Sequence, residues 1–175
     1  MSLYAFMKQE RKGLNMYHVK EITAEEIPQS AEIIRCSFQT VADEFGITEE
    51  NTPTHGTFLK DEKLLDDFKN GIKMFGLFEW EKQVGFVAVE TKSGEIYYVE
   101  KLAVLPSYRH RRGGRDLMKT AEEYVKNAGG RMISIGIIYE NKPLLQWYIN
   151  LGYEETGTKN FPNFPFTVCF LKKEL

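Results

Sequence analysis

Cysteine is scarce in this chain of 175 residues: only Cys36 and Cys169 occur, far apart and each among apolar neighbours. Two such residues make no disulfide framework. They read as reduced core thiols, which points to a reducing compartment. Long apolar runs are missing too. No stretch approaches the ~20 residues that a membrane helix needs, and residues 1–8 lack the apolar run of a signal peptide, so a cytoplasmic location is expected. Nor is there an excess of charge of one sign, because 23 Lys and Arg stand against 25 Asp and Glu. The molecule therefore offers no broad attraction to nucleic acid or to a lipid surface, and any anion site has to be local. No internal repeat, low-complexity tract or linker breaks the chain. What remains, 42% hydrophobic and 27% charged residues, is the balance of one folded domain of about 150 residues. We assign residues 15–175 to that domain and residues 1–14 to an extension or partial cloning scar.

Periodicity gives the order of elements. Met16 to Ile22 alternates as a strand, and Ile34, Phe38, Val41, Ala42 and Phe45 recur at helical spacing up to Gly46. Thr23 and Glu26 have the spacing of a capping box, yet Pro28 suits only a first turn, so the helix start lies at one or the other. A second helix carrying Leu59, Leu64, Leu65 and Phe68 ends near Asn70-Gly71. Met74–Trp80, Val84–Glu90 and Ile96–Val104 read as an antiparallel meander. Gly113–Asn127 has one apolar face and stops at Gly129-Gly130, and Met132–Ile138 is a β-branched run that reads as a strand buried on both faces. Asn141 and Pro143 start a last helix that Gly152 closes. Strands near Tyr153–Thr158 and Phe166–Leu171 finish the chain.

The segment Arg109-His110-Arg111-Arg112-Gly113-Gly114-Arg115 sits between a strand and an amphipathic helix. A helix start leaves its first N–H groups unpaired at the positive end of the helix dipole, so it receives phosphate readily. The arginines add charge-assisted hydrogen bonds to the same anion. An isolated basic cluster would be a solvated loop; the position between strand and helix gives this one its meaning.

With these residues the chain resembles the GNAT superfamily of N-acetyltransferases, whose coenzyme A motif runs Val/Ile, four residues, then Gln/Arg-x-x-Gly-x-Gly/Ala. Val104, Arg109 and Gly114 match, and Arg112 stands at the first glycine. Asn141, Tyr148 and Gly152-Tyr153 match the family's next segment, so the likeness covers roughly residues 96–156. The resemblance implies a mixed α/β fold, a mostly antiparallel sheet of about seven strands with helices on both faces. It also implies direct acetyl transfer from acetyl-CoA to an amine acceptor, with no acetyl-enzyme and no metal. The cosubstrate would lie against Leu102, Ala103 and Val104, the turn from Arg109 through His110, Arg111, Arg112, Gly113 and Gly114 to Arg115, Asn141 and Tyr148. Leu102 to Val104 would hold the pantetheine arm, which enters between two splayed strands. Tyr148 would protonate the leaving thiolate. A non-catalytic module of the same fold that senses coenzyme A or binds a protein is the alternative.

An amine must lose a proton to attack, and two residues are candidates for taking it. Glu100 alternates with Tyr98, Leu102 and Val104 on an apolar strand face, where a carboxylate is either paired or employed as a base. His55, between the first two helices, is either a surface histidine or a base. Glu140, beside Asn141, reads as a solvated residue. The aromatic turn 161–166 would line the acceptor site, form a homodimer contact or pack on the core.

Overall fold

The computed structural model describes residues 17–175; the extension assigned to residues 1–14 lies outside them. Seven strands form one sheet in the order β1-β2-β3-β4-β5-β7-β6. They are β1 (Tyr17–Glu21), β2 (Lys73–Glu79), β3 (Lys82–Ser93), β4 (Ile96–Val104), β5 (Met132–Ile138), β6 (Glu154–Asn160) and β7 (Thr167–Glu174). Every neighbouring pair is antiparallel except β4 with β5. Helices α1 (Ile27–Phe45) and α2 (Asp61–Lys69) cover one face, and α3 (Gly113–Asn127) and α4 (Lys142–Asn150) cover the other. The expected mixed α/β sheet with helices on both faces is present.

The two faces hold separate cores because side chains alternate along each strand. On β3, Val87 and Val89 meet Leu117, Met118 and Val125 of α3, whereas Phe86 and Ala88 meet Ile27, Ala31 and Ile34 of α1. Each fully buried aliphatic side chain in these cores contributes about 1.5–3 kcal/mol. Both readings of the first helix start hold in part. Thr23 donates its backbone N–H to Glu26 Oε2 at 2.9 Å, as a capping box requires, but it caps a 3-10 turn, Ala24–Glu26. The α-helix begins at Ile27 and takes Pro28 in its first turn, where no N–H is needed.

Two expectations fail. Cys36 is exposed on α1, with its thiol hydrogen-bonded to Glu32 at 3.3 Å, and only Cys169 is buried. The apolar neighbours of Cys36 in sequence face the core because a helix turns 100° per residue. Strand β5 buries Ile133 and Ile135 on one face; on the other, Ile138 is buried but Ser134 is half-buried and Gly136 is exposed. That uncovered face borders the site.

Candidate functional site

Strands β4 and β5 begin as a parallel pair, Ile96 beside Met132, Tyr97 beside Ile133 and Tyr98 beside Ser134, and then separate. Beyond Tyr98 the β5-facing edge of β4 has no strand partner. The cause lies in β4. Lys101 takes the left-handed conformation, φ +54°, and the pairing with β3 slips there, Ala103 facing Phe86 and Glu100 facing Ala88. An extra residue in one strand bends it and increases its twist, which carries the end of β4 away from β5.

The same bulge corrects the expected face of Glu100. Past Lys101 the alternation reverses, so Leu102 and Val104 pack with Tyr97 and Val99 in the α3 core, while Ala103 joins the α1 core. Glu100 therefore shares its side of the sheet with Tyr98 and Ala103. Its carboxylate is 3.1 Å from Lys101 Nζ, which also lies 3.8 Å from the buried Asp67. Asp67 is paired with Lys63 as well.

A cavity of about 1460 Å³ opens where the strands part. It runs from the start of α3 along the split to α1, and Glu100, His55, Tyr148, Asn141 and Leu102 to Val104 all line it. Most of the expected site residues, distant in sequence, thus line one cavity; Arg111 and Gly113 do not.

Its basic end is the turn before α3. From His110 to Arg115 no backbone N–H is donated to any described residue; the first helical bond of this region is Asp116 N–H to Arg112 O, 3.0 Å. His110 and Arg112 have φ of +62° and +70°. Turns of this kind gather successive N–H groups into an anion-binding concavity at the positive end of a helix. Arg112 thus keeps the left-handed backbone that a glycine would adopt without strain. Gly113 is needed for packing, since a Cβ there would lie 2.3 Å from Leu77 Cδ2, whereas one at Gly114 would meet only ordinary contacts with Trp147 at 3.5 Å.

The arginines divide their work. Arg109 is committed within the protein: Nε donates to Val104 O (3.1 Å), Nη1 to Thr40 Oγ1 (3.1 Å) and Nη2 to Ser37 O (2.7 Å). It ties the end of β4 to α1, and burial lowers its pKa. Arg111 leans over the Tyr108 ring, 5.6 Å from its centroid, and is not part of the lining. His110, Arg112, Gly114 and Arg115 are.

Tyr148 is 4% exposed and packed edge-on between Trp147 and Tyr153, at centroid distances of 4.8 and 5.5 Å. Burial raises its pKa, so the phenol stays protonated. None of the described residues takes a hydrogen bond from its hydroxyl. Asn141 caps α4, its Oδ1 accepting Leu144 N–H at 3.2 Å. His55 is half-buried, edge-on to Phe38 at 5.2 Å, with Nδ1 accepting Thr57 N–H at 3.4 Å and lying 3.1 Å from Thr57 Oγ1. Desolvation lowers its pKa to about 4.

Sequence reasoning missed one contributor and left a second open among three readings. Glu140 is not merely solvated: its carboxylate accepts Thr167 N–H at 3.1 Å and so fixes the start of β7. In the aromatic turn, Phe161, Phe164 and Phe166 pack as tilted rings at successive centroid distances of 5.1 Å, and Phe166 reaches the cavity and the small core with Ala42 and Ile138. The high aromatic content of 161–166 was the only signal for it.

The model of the Acetyltransferase (GNAT) family matches residues 38–153 of this chain. An uncharacterized N-acetyltransferase of Methanocaldococcus jannaschii is 34% identical over 80 residues, which are 42% of this chain and 35% of the relative. The match thus spans about a third of that relative's length. Among solved structures, the chain is similar to the PaiA N-acetyltransferase of Thermoplasma acidophilum in complex with coenzyme A. The TM-score is 0.76 at 18% identity, covering 91% of this chain and 99% of that one. The ribosomal-protein-S18-alanine N-acetyltransferase of Escherichia coli has a TM-score of 0.72 at 12% identity, covering 90% and 93%. A putative acetyltransferase of Salmonella typhimurium with its cofactor acetyl-CoA has a TM-score of 0.70 at 14% identity, covering 92% and 95%. At these identities the likeness is one of fold.

Proposed function

Because the chain belongs to the acetyltransferase (GNAT) family, we propose that it transfers the acetyl group of acetyl-CoA directly to a primary amine of a small molecule or peptide. The observation that carries this reading is the continuous cavity from the bare helix start, through the split between β4 and β5, to Tyr148 and Glu100. Two solved structures of similar fold hold coenzyme A or acetyl-CoA.

The residues suit that cosubstrate. Free N–H groups from His110 to Arg115 would take the pyrophosphate, with Arg112 and Arg115 adding charge. The unpaired edge of β4 at Leu102 and Ala103 offers backbone groups to an extended pantetheine arm, much as it would to another strand. Asn141 orders the start of α4 beside it. The cosubstrate supplies an activated thioester. Tyr148, kept protonated by burial, donates its proton to the departing thiolate. Backbone N–H groups near Leu102 stabilise the charge that develops on the carbonyl oxygen.

Proton removal from the amine falls to Glu100. His55 is the weaker candidate because burial disfavours its protonated form, whereas the Glu100 carboxylate reaches the cavity with 41% of its side chain exposed. The unpaired thiols Cys36 and Cys169 fit work in a reducing, cytoplasmic setting. Acetyl-CoA consumption over a panel of amines, with a gain of about 42 Da per acetyl group in the product, tests the activity. Coenzyme A binding with no amine turned over would mark a non-catalytic module instead.

A further inference from the structure

We propose that the acceptor is a primary amine on an aromatic or branched apolar body that carries no second charge. This deepens the transferase reading and rests on it for the chemistry, though not for the shape of the binding surface.

The sheet divides the cavity in two. The bare turn before α3 lies toward the α3 side of the split. Strand parity puts Tyr98 of β4, Ile138 of β5 and Phe170 of β7 on the α1 side, since their neighbours Val99, Cys169 and Leu171 pack in the α3 core. Helix α1 adds Phe38 and Val41, and the aromatic turn adds Phe166. Six apolar or aromatic side chains therefore converge on the half that an acceptor enters. Phe170 is 37% exposed, among the few large hydrophobic residues left so open, and it faces the exposed Gly136 across the β5–β7 ladder. Uncovered apolar surface inside a concavity is the mark of a ligand site rather than of packing.

Most of the charges in this half already have partners within the protein. Glu100 is paired with Lys101 at 3.1 Å, and Arg109 is bound to Val104, Thr40 and Ser37. Burial keeps His55 uncharged. Glu44, exposed at the rim, is the remaining acid. A polycation would need two or more free carboxylates along its length, and an amino sugar would need many hydroxyl partners. Among the lining residues described, Glu44 is the one carboxylate outside an ion pair and Ser37 and Ser134 are the only aliphatic hydroxyls, whereas six apolar or aromatic side chains face the same space.

The test compares phenethylamine, spermidine and glucosamine in two ways. In turnover with acetyl-CoA, phenethylamine should have the highest kcat/KM, by at least about tenfold, and Phe170→Ser should reduce that advantage. Equal or greater kcat/KM for spermidine or glucosamine overturns the proposal. Equilibrium dialysis of each amine against the protein loaded with coenzyme A reads the same preference without catalysis. Phenethylamine binding about tenfold tighter than the others with no acetylation would overturn the transferase reading and uphold the acceptor class. Absence of that preference in dialysis overturns the class itself.

Discussion

Tyr148 has the clearest assignment of any single residue. Its ring is held by Trp147 and Tyr153 while its hydroxyl has no protein partner among the described residues. Tyr148→Phe therefore removes no internal hydrogen bond and keeps the packing volume. The variant should melt near the wild-type temperature and bind coenzyme A as tightly, yet transfer acetyl groups roughly ten- to ten-thousand-fold more slowly. Steady-state rates beside melting curves check this, and equal rates would remove the general acid. His55 carries a pH effect of a different kind. Its pKa falls from 6.5 unfolded to about 4 folded, so the unfolded chain binds a proton that the folded chain refuses. This contribution to stability is complete above pH 6.5 and is lost as pH falls toward 4. Denaturation midpoints across that range should drop less steeply in His55→Gln than in the wild type. Parallel slopes would show that His55 is not desolvated. Both residues could be found in the sequence, but their settings could not. Tyr148 stood in register with Asn141 and Gly152, whereas the burial of His55 depends on Phe38 and Phe58, which only the fold brings to it.

Among the elements, the start of α3 and the bulge in β4 decide what the site is. The helix was legible to the residue, Gly113–Asn127, because its apolar face and its glycine stop are local signals. The bulge was not. Lys101 takes a φ of +54° in a stretch where no glycine or asparagine marks such a backbone, so the alternation from Tyr98 through Val104 looked unbroken. One inserted residue then reversed the face of everything after it. Arg112 likewise takes a left-handed backbone, φ +70°, although it is not a glycine. Left-handed backbone costs a non-glycine residue about 1–2 kcal/mol, part of which glycine offsets by its own entropy loss. Arg112→Gly should raise stability by about 0.5–1 kcal/mol. Gly113→Ala should lower it by about 1–3 kcal/mol, since its methyl group would press on the buried Leu77. Urea unfolding of the two variants reads both signs, and a neutral Gly113→Ala would mean that β2 yields to the helix.

On the scale of the whole molecule, one sheet carries two cores, and the split between β4 and β5 joins them. On the proposed reading a charged ligand would approach from the α3 side and an apolar one from the α1 side, so that a chain of net charge −2 would hold a strongly anionic cosubstrate at one local turn. Element order and the helix start followed from sequence periodicity and motif spacing, and the residues of the split from the resemblance to the family. The division of the cavity did not, because it depends on which side of the sheet each strand residue faces after the bulge. The most direct test of the site is a calorimetric titration of coenzyme A into the wild type and into Gly114→Val, whose side chain would project beside the bare N–H groups without the overlap that Gly113 would suffer. Saturable binding by the wild type and at least about tenfold weaker binding by the variant, at unchanged melting temperature, is the expected result. No binding by the wild type, or equal affinity in the two proteins, would contradict the assignment of this turn to the cosubstrate.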